Sequence, residues 1–90
     1  MERINALKIL HVIREIDDKR AFETARAHAS EHQVTLVLLQ DAVLSRFPWD
    51  GEVCAGREDL EARGGKAGVR EVEYRELIGM IFGHDRVIMW

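Results

Sequence analysis

The sequence predicts one layered α/β domain with a mainly parallel sheet of about five strands. Two observations carry this. Short apolar runs of strand length recur along the 90 residues, most of them too continuously apolar to leave one face in water. Between them lie segments with helical periodicity or helix-capping residues. Strands that alternate with helices in this way call for a parallel sheet rather than hairpins.

Residues 7–13 form the first run, with Leu10 and Val12 expected in the core. The polar loop 14–18 follows, where Asp17 or Asp18 is placed to cap a helix over about residues 19–30. Ala21, Phe22, Ala25 and Ala29 recur there at helical spacing and predict one buried stripe. Residues 34–39 are the second strand, with Val37 and Leu39 inward. Gln40 and Asp41 end it, and residues 42–46 suffice for a helical turn. Residues 51–55, including Val53 and Cys54, read as a third strand of weaker composition.

Residues 57–63 are the best-marked helix. Glu58 and Asp59 stand in its first turn and Arg63 in its last, each favoured by the macrodipole, and Gly64 suits a left-handed C-terminal stop. Residues 64–68 read as a flexible connection, and 69–74 as a half-exposed edge strand. Residues 75–82 are helical, with Leu77, Ile78, Ile81 and Phe82 expected inward and Gly83 as the stop. The closing run, 86–90, is the last strand, with Val87 and Ile88 in the core.

Composition narrows the function. A net charge of −3 and scattered cations argue against a nucleic-acid surface, which needs a basic face. One cysteine allows no internal disulfide and suits a reducing cytoplasm. No apolar run reaches the ~18 residues of a membrane helix. Residues 1–5 lack the basic start of a secretory leader. A domain of this size buries only about 60–65% of its unfolded surface, so association with itself or with partners is expected.

Cys54 is the first chemical candidate. A thiol at a strand end that feeds a helix start near Arg57 has its ionised form favoured, although Glu58 and Asp59 oppose this. A small side chain buried at the strand end is the alternative. His28 and His32 stand four apart on a helix, as two metal ligands do, but no further ligand completes a set and a solvated pair is expected. His11 within a strand reads as a hydrogen-bonded core residue, and His84 as a cation at a helix C-terminus. The glycines at 64, 65 and 68 lack P-loop spacing. Phe47 and Trp49, in a connection with Pro48, either fold back on the sheet or meet a partner.

Several of these residues fall into an ordered series: Leu10 and His11; residues 38–43; Glu58, Asp59 and Leu60 with Ala62, Arg63 and Gly64; Val72, Glu73 and Tyr74; and the ending 84–90. The series spans nearly the whole chain and resembles the DsrH/TusB family of small sulfur-relay subunits. The resemblance implies a compact three-layer α/β/α sandwich and a place beside DsrE/TusD-like and DsrF/TusC-like subunits in a sulfurtransferase complex. Such complexes pass persulfide sulfur onward, to 2-thiouridine at the tRNA wobble position in the Tus branch and to sulfur oxidation in the Dsr branch. The DsrE/TusD subunit supplies the principal carrier cysteine. TusB-type chains usually have a tyrosine-like residue where this chain has Cys54, and loop 14–18 also lacks a cysteine. Three roles follow: a partner-organising subunit without catalysis of its own, a self-contained carrier using Cys54, or a homo-oligomeric relative with a different function. No cofactor, metal, nucleic acid or membrane is expected as a direct partner.

Overall fold

The structure, a computed structural model, describes residues 6–65 and 68–90. Strands β1 (Lys8–Ile13), β2 (Gln33–Leu38), β3 (Glu52–Gly56), β4 (Arg70–Val72) and β5 (Arg86–Met89) lie in the order β4-β3-β2-β1-β5. Every neighbouring pair is parallel. The helices are α1 (Lys19–Ala29), α2 (Arg57–Arg63) and α3 (Tyr74–Gly83), with a short 3-10 turn at Gln40–Leu44.

The strand order sets the layers. From β1 to β4 the chain steps sideways in one direction, so right-handed crossovers place α1, the 3-10 turn and α2 on one face. From β4 it returns across the whole sheet to β5, and α3 therefore covers the other face. Strand alternation sorts the core accordingly. Ile9, Ile13, Leu36 and Ala55 pack with Phe22, Val43 and Leu60 on the α1/α2 side. Leu10, Val12, Val37, Cys54 and Val72 pack with Leu77 on the α3 side. The result is the three-layer sandwich.

Local chemistry explains the elements. Asp18 caps α1, its Oδ1 accepting from the Ala21 amide at 3.1 Å. Asp17 instead braces a neighbouring connection. At φ 47° its Oδ1 accepts from the amides of Arg46 and Phe47 at 2.7 and 3.0 Å. The turn after β2 begins at Gln40 rather than Ala42, because Ala42 donates back to Leu39 O as the strand ends. Helix α2 matches its sequence markers in full. Gly64 stops it at φ 67° while donating to Leu60 O at 2.8 Å. Gly64→Ala is expected to cost about 1 kcal/mol, measured as a lowered melting temperature, because a Cβ is strained in that conformation.

Several core expectations need correction. Ala29 is exposed, and the α1 stripe continues to half-buried His28, one turn on from Ala25. Leu39, Val53, Val87 and Ile88 are half-buried rather than enclosed, since each lies at a strand end or near the β5 edge. The largest departure is in α3. Of its apolar residues only Leu77 is buried, while Ile78 and Phe82 stand outward at 54% and 85% exposure. The helix is apolar over more of its circumference than one sheet face covers, and periodicity alone did not say which arc wins. The β4 strand is the predicted edge, but it is only three residues long because Tyr74 already starts α3. Residues 1–5 and the Lys66–Ala67 part of the glycine-rich connection lie outside the described residues.

Candidate functional site

Adjacent strands β3 and β4 send their helices to opposite faces of the sheet. Such a reversal leaves a crevice at the carboxyl ends of the two strands, the usual ligand position in open α/β sheets. A cavity of about 630 Å³ occupies this place, with Leu39, Gly56 and Val72 as its floor and Arg57, Glu73 and Tyr74 on its walls. Arg57 ties the walls together, with Nε 3.3 Å from Glu71 and Nη1 3.5 Å from Glu73. These pairs are half-exposed, so they orient the arginine more than they stabilise the fold.

The electrostatics of the crevice exclude one ligand class. Two helix N-termini meet there, an arrangement that ordinarily attracts phosphate. Here the chain's own acids serve those ends. Glu73 and Glu76 form a reciprocal capping box on α3, with the Glu73 amide donating to Glu76 Oε1 at 3.3 Å, and Glu58 and Asp59 occupy the first turn of α2. Glu61 adds a fifth carboxylate, against two guanidinium groups from Arg57 and Arg75. The lining is acidic and suits a neutral or cationic group, such as a basic segment of another protein, better than an anion.

Cys54 does not open into this crevice. It is 1% exposed, packed among Leu10, Val12, Val37 and Val72, with its thiol 3.6 Å from Leu36 O. Burial pushes its pKa up to about 11; Arg70 opposes the rise, and Glu76 and Glu52 add to it. At neutral pH the group therefore stays the thiol rather than the thiolate that attacks sulfur. Helix α2 starts three residues later, but β3 first turns the side chain into the α3-side core.

The histidines sort differently. His11 is fully buried on the α1 face of β1 and joins a hydrogen-bonded series. The Trp90 indole N–H donates to His11 Nδ1 at 2.9 Å, and His11 Nε2 lies 3.0 Å from His28 Nδ1. An indole N–H only donates, so His11 carries its proton on Nε2 and gives it to His28. His32 instead accepts from the Leu7 amide, so the i, i+4 pair is split between two partners. Among the described residues no group of three or more metal-ligating side chains assembles. His84 caps α3 through Met80 O at 2.6 Å. The His11–His28 contact had a faint local signal, in a polar residue on each buried stripe. The Trp90 contact, across 79 positions, had none.

Phe47 and Trp49 fold back on the sheet. Phe47 stacks on Phe22 with centroids 4.7 Å apart, Arg26 lies over its outer side, and the Trp49 indole donates to Glu52 O. Both aromatics remain half-buried after these contacts.

With the sheet order, the layers and the crevice in place, comparison with known proteins shows a shared fold. The fold is shared with the YchN protein of E. coli, at 20% identity and a TM-score of 0.71, over 93% of this chain and 99% of that one. At that identity the likeness is one of fold. No family model and no curated protein sequence matches the chain. Among the described residues, no helix is long and apolar enough to cross a membrane.

Proposed function

We propose that this chain is a DsrH/TusB-like subunit that organises a cytoplasmic sulfur-relay complex without carrying persulfide itself. One observation carries the reading beside the sequence resemblance: in the fold shared with YchN, the chain's single cysteine is enclosed and held protonated. Sulfur transfer needs an accessible thiolate, and this chain offers none. The carrier cysteine then belongs to a DsrE/TusD-like partner, with a DsrF/TusC-like chain as the third member. The acidic crevice is the surface from which this subunit steers a partner's basic segment.

Two measurements test this. Treatment of the folded protein with a polysulfide donor, followed by alkylation and intact-mass analysis, is expected to leave Cys54 unmodified. Alkylation at pH 7 should be at least a hundredfold slower than in urea. With partner subunits present, Cys54→Ser should keep relay activity within about threefold, since the thiol it removes is enclosed and protonated. A persulfide that forms on Cys54 and passes to an acceptor would make the chain a carrier and overturn the proposal. The Tus branch is the destination we assign. Deletion of the gene in its native host should then lower the 2-thiouridine content of tRNA, and unchanged thiolation would speak for the sulfur-oxidation branch.

A further inference from the structure

We infer that α3 is a two-fold interface through which two copies of this chain pair, independently of the sulfur-relay reading. Tyr74, Ile78 and Phe82 recur every four residues and form one outward ridge, exposed by 66%, 54% and 85%. Half-buried Ile81 continues the apolar surface toward the core, and exposed Met89 shares its face of the sheet with Val87, which packs on the α3 side. These exposed side chains present roughly 500 Å² of apolar surface, at the upper end of what a monomer leaves uncovered. A standard interface takes about 800 Å² from each partner and is most apolar at its centre, and the ridge would supply more than half of that area as an apolar centre.

The spacing of the ridge is self-complementary. A two-fold axis beside Ile78 sets the two helices antiparallel, with Ile78 against its own counterpart and Tyr74 of each copy against Phe82 of the other. Antiparallel helices also set their macrodipoles in opposition. The charged residues of α3, Arg75 and Glu76, both lie in its first turn, so the axis separates each from its own copy. A membrane surface fits less well, because the ridge is bordered by Glu73 and Glu76 rather than by a run of cations. Tyr74 also lines the β3/β4 crevice, so Phe82 of the second copy would stand at its mouth.

Sedimentation of the full chain decides this without any sulfur chemistry. The wild-type protein is expected to be a dimer at about 50 μM. Phe82→Asp should weaken association at least a hundredfold with an unchanged far-UV spectrum, because Phe82 contributes almost nothing to the core of one copy. Ile78→Cys should form a disulfide-linked dimer under mild oxidation much faster than Glu31→Cys, a control on exposed surface near the end of α1; buried Cys54 does not compete. A wild-type monomer at about 200 μM, a dimer that survives Phe82→Asp, or equal cross-linking of the two cysteine variants would each overturn the inference. So would a chain that stays monomeric alone and covers α3 only with a different subunit or with vesicles. None of these results bears on whether Cys54 carries sulfur.

Discussion

Phe22→Ala is expected to lower the unfolding free energy by about 3–5 kcal/mol, read from urea denaturation at neutral pH. Phe22 is the largest of the fully buried side chains and the bulkiest that α1 places in the core. Its removal opens a cavity in the core cluster that also holds Ile13, Leu36 and Val43, and the flanking strands are too well paired to collapse into it. The same change deprives Phe47 of its stacking partner, so the connection bearing Trp49 should loosen and the tryptophan emission shift to longer wavelength. For 90 residues this loss is a large part of the total, which is on the order of 0.05–0.15 kcal/mol per residue. Ile16→Ala, on an exposed loop residue, should stay within about 0.5 kcal/mol. Near-equal effects of the two substitutions would mean that α1 is not anchored as described.

Acidification from pH 7 toward pH 4 is expected to remove about 3 kcal/mol of stability through His11 alone. Burial, reinforced by His28, lowers the His11 pKa from its ordinary 6.5 to about 4. The folded protein therefore takes up this proton less readily than the unfolded chain. The His11 contribution is complete above pH 6.5, declines as the unfolded chain protonates, and is gone near pH 4. Geometry gives the same sign. A proton added at Nδ1 would face the Trp90 indole N–H, donor against donor, and break the tie that holds the end of β5 to β1. His11→Gln should be less stable at pH 7 yet show a flatter dependence between pH 7 and 5, where few carboxylates titrate. An unchanged slope in that variant would assign the acid sensitivity to other groups.

Burial also separates what was legible at the site from what was not. That β3 runs directly into a short helix was visible in Glu58, Asp59, Arg63 and Gly64, since capping and dipole effects act within one or two turns. That Cys54 stands just before this helix was equally visible. Its inertness was not, because the pKa of a thiol depends on which face of the sheet it occupies and on what covers that face. The crevice was invisible for a related reason. It exists because β3 and β4 are neighbours whose helices leave in opposite directions, and strand order is not a local property.

The sequence by itself determined the class of fold, the number of strands, the position of each helix, and the boundaries and stop of α2. All of these follow from short-range periodicity, capping and turn chemistry. The tertiary structure alone decided strand order and hence which helices share a layer. It decided that α1 half-buries His28 and exposes Ala29, and that Phe47 and Trp49 fold back on the sheet. It also decided that α3 buries Leu77 and leaves Ile78 and Phe82 in solvent. An apolar residue carries the same hydrophobic drive wherever it stands in the chain. Which of several such residues is covered depends on where the sheet ends and how much surface one face offers, and that is settled only when the whole chain has packed.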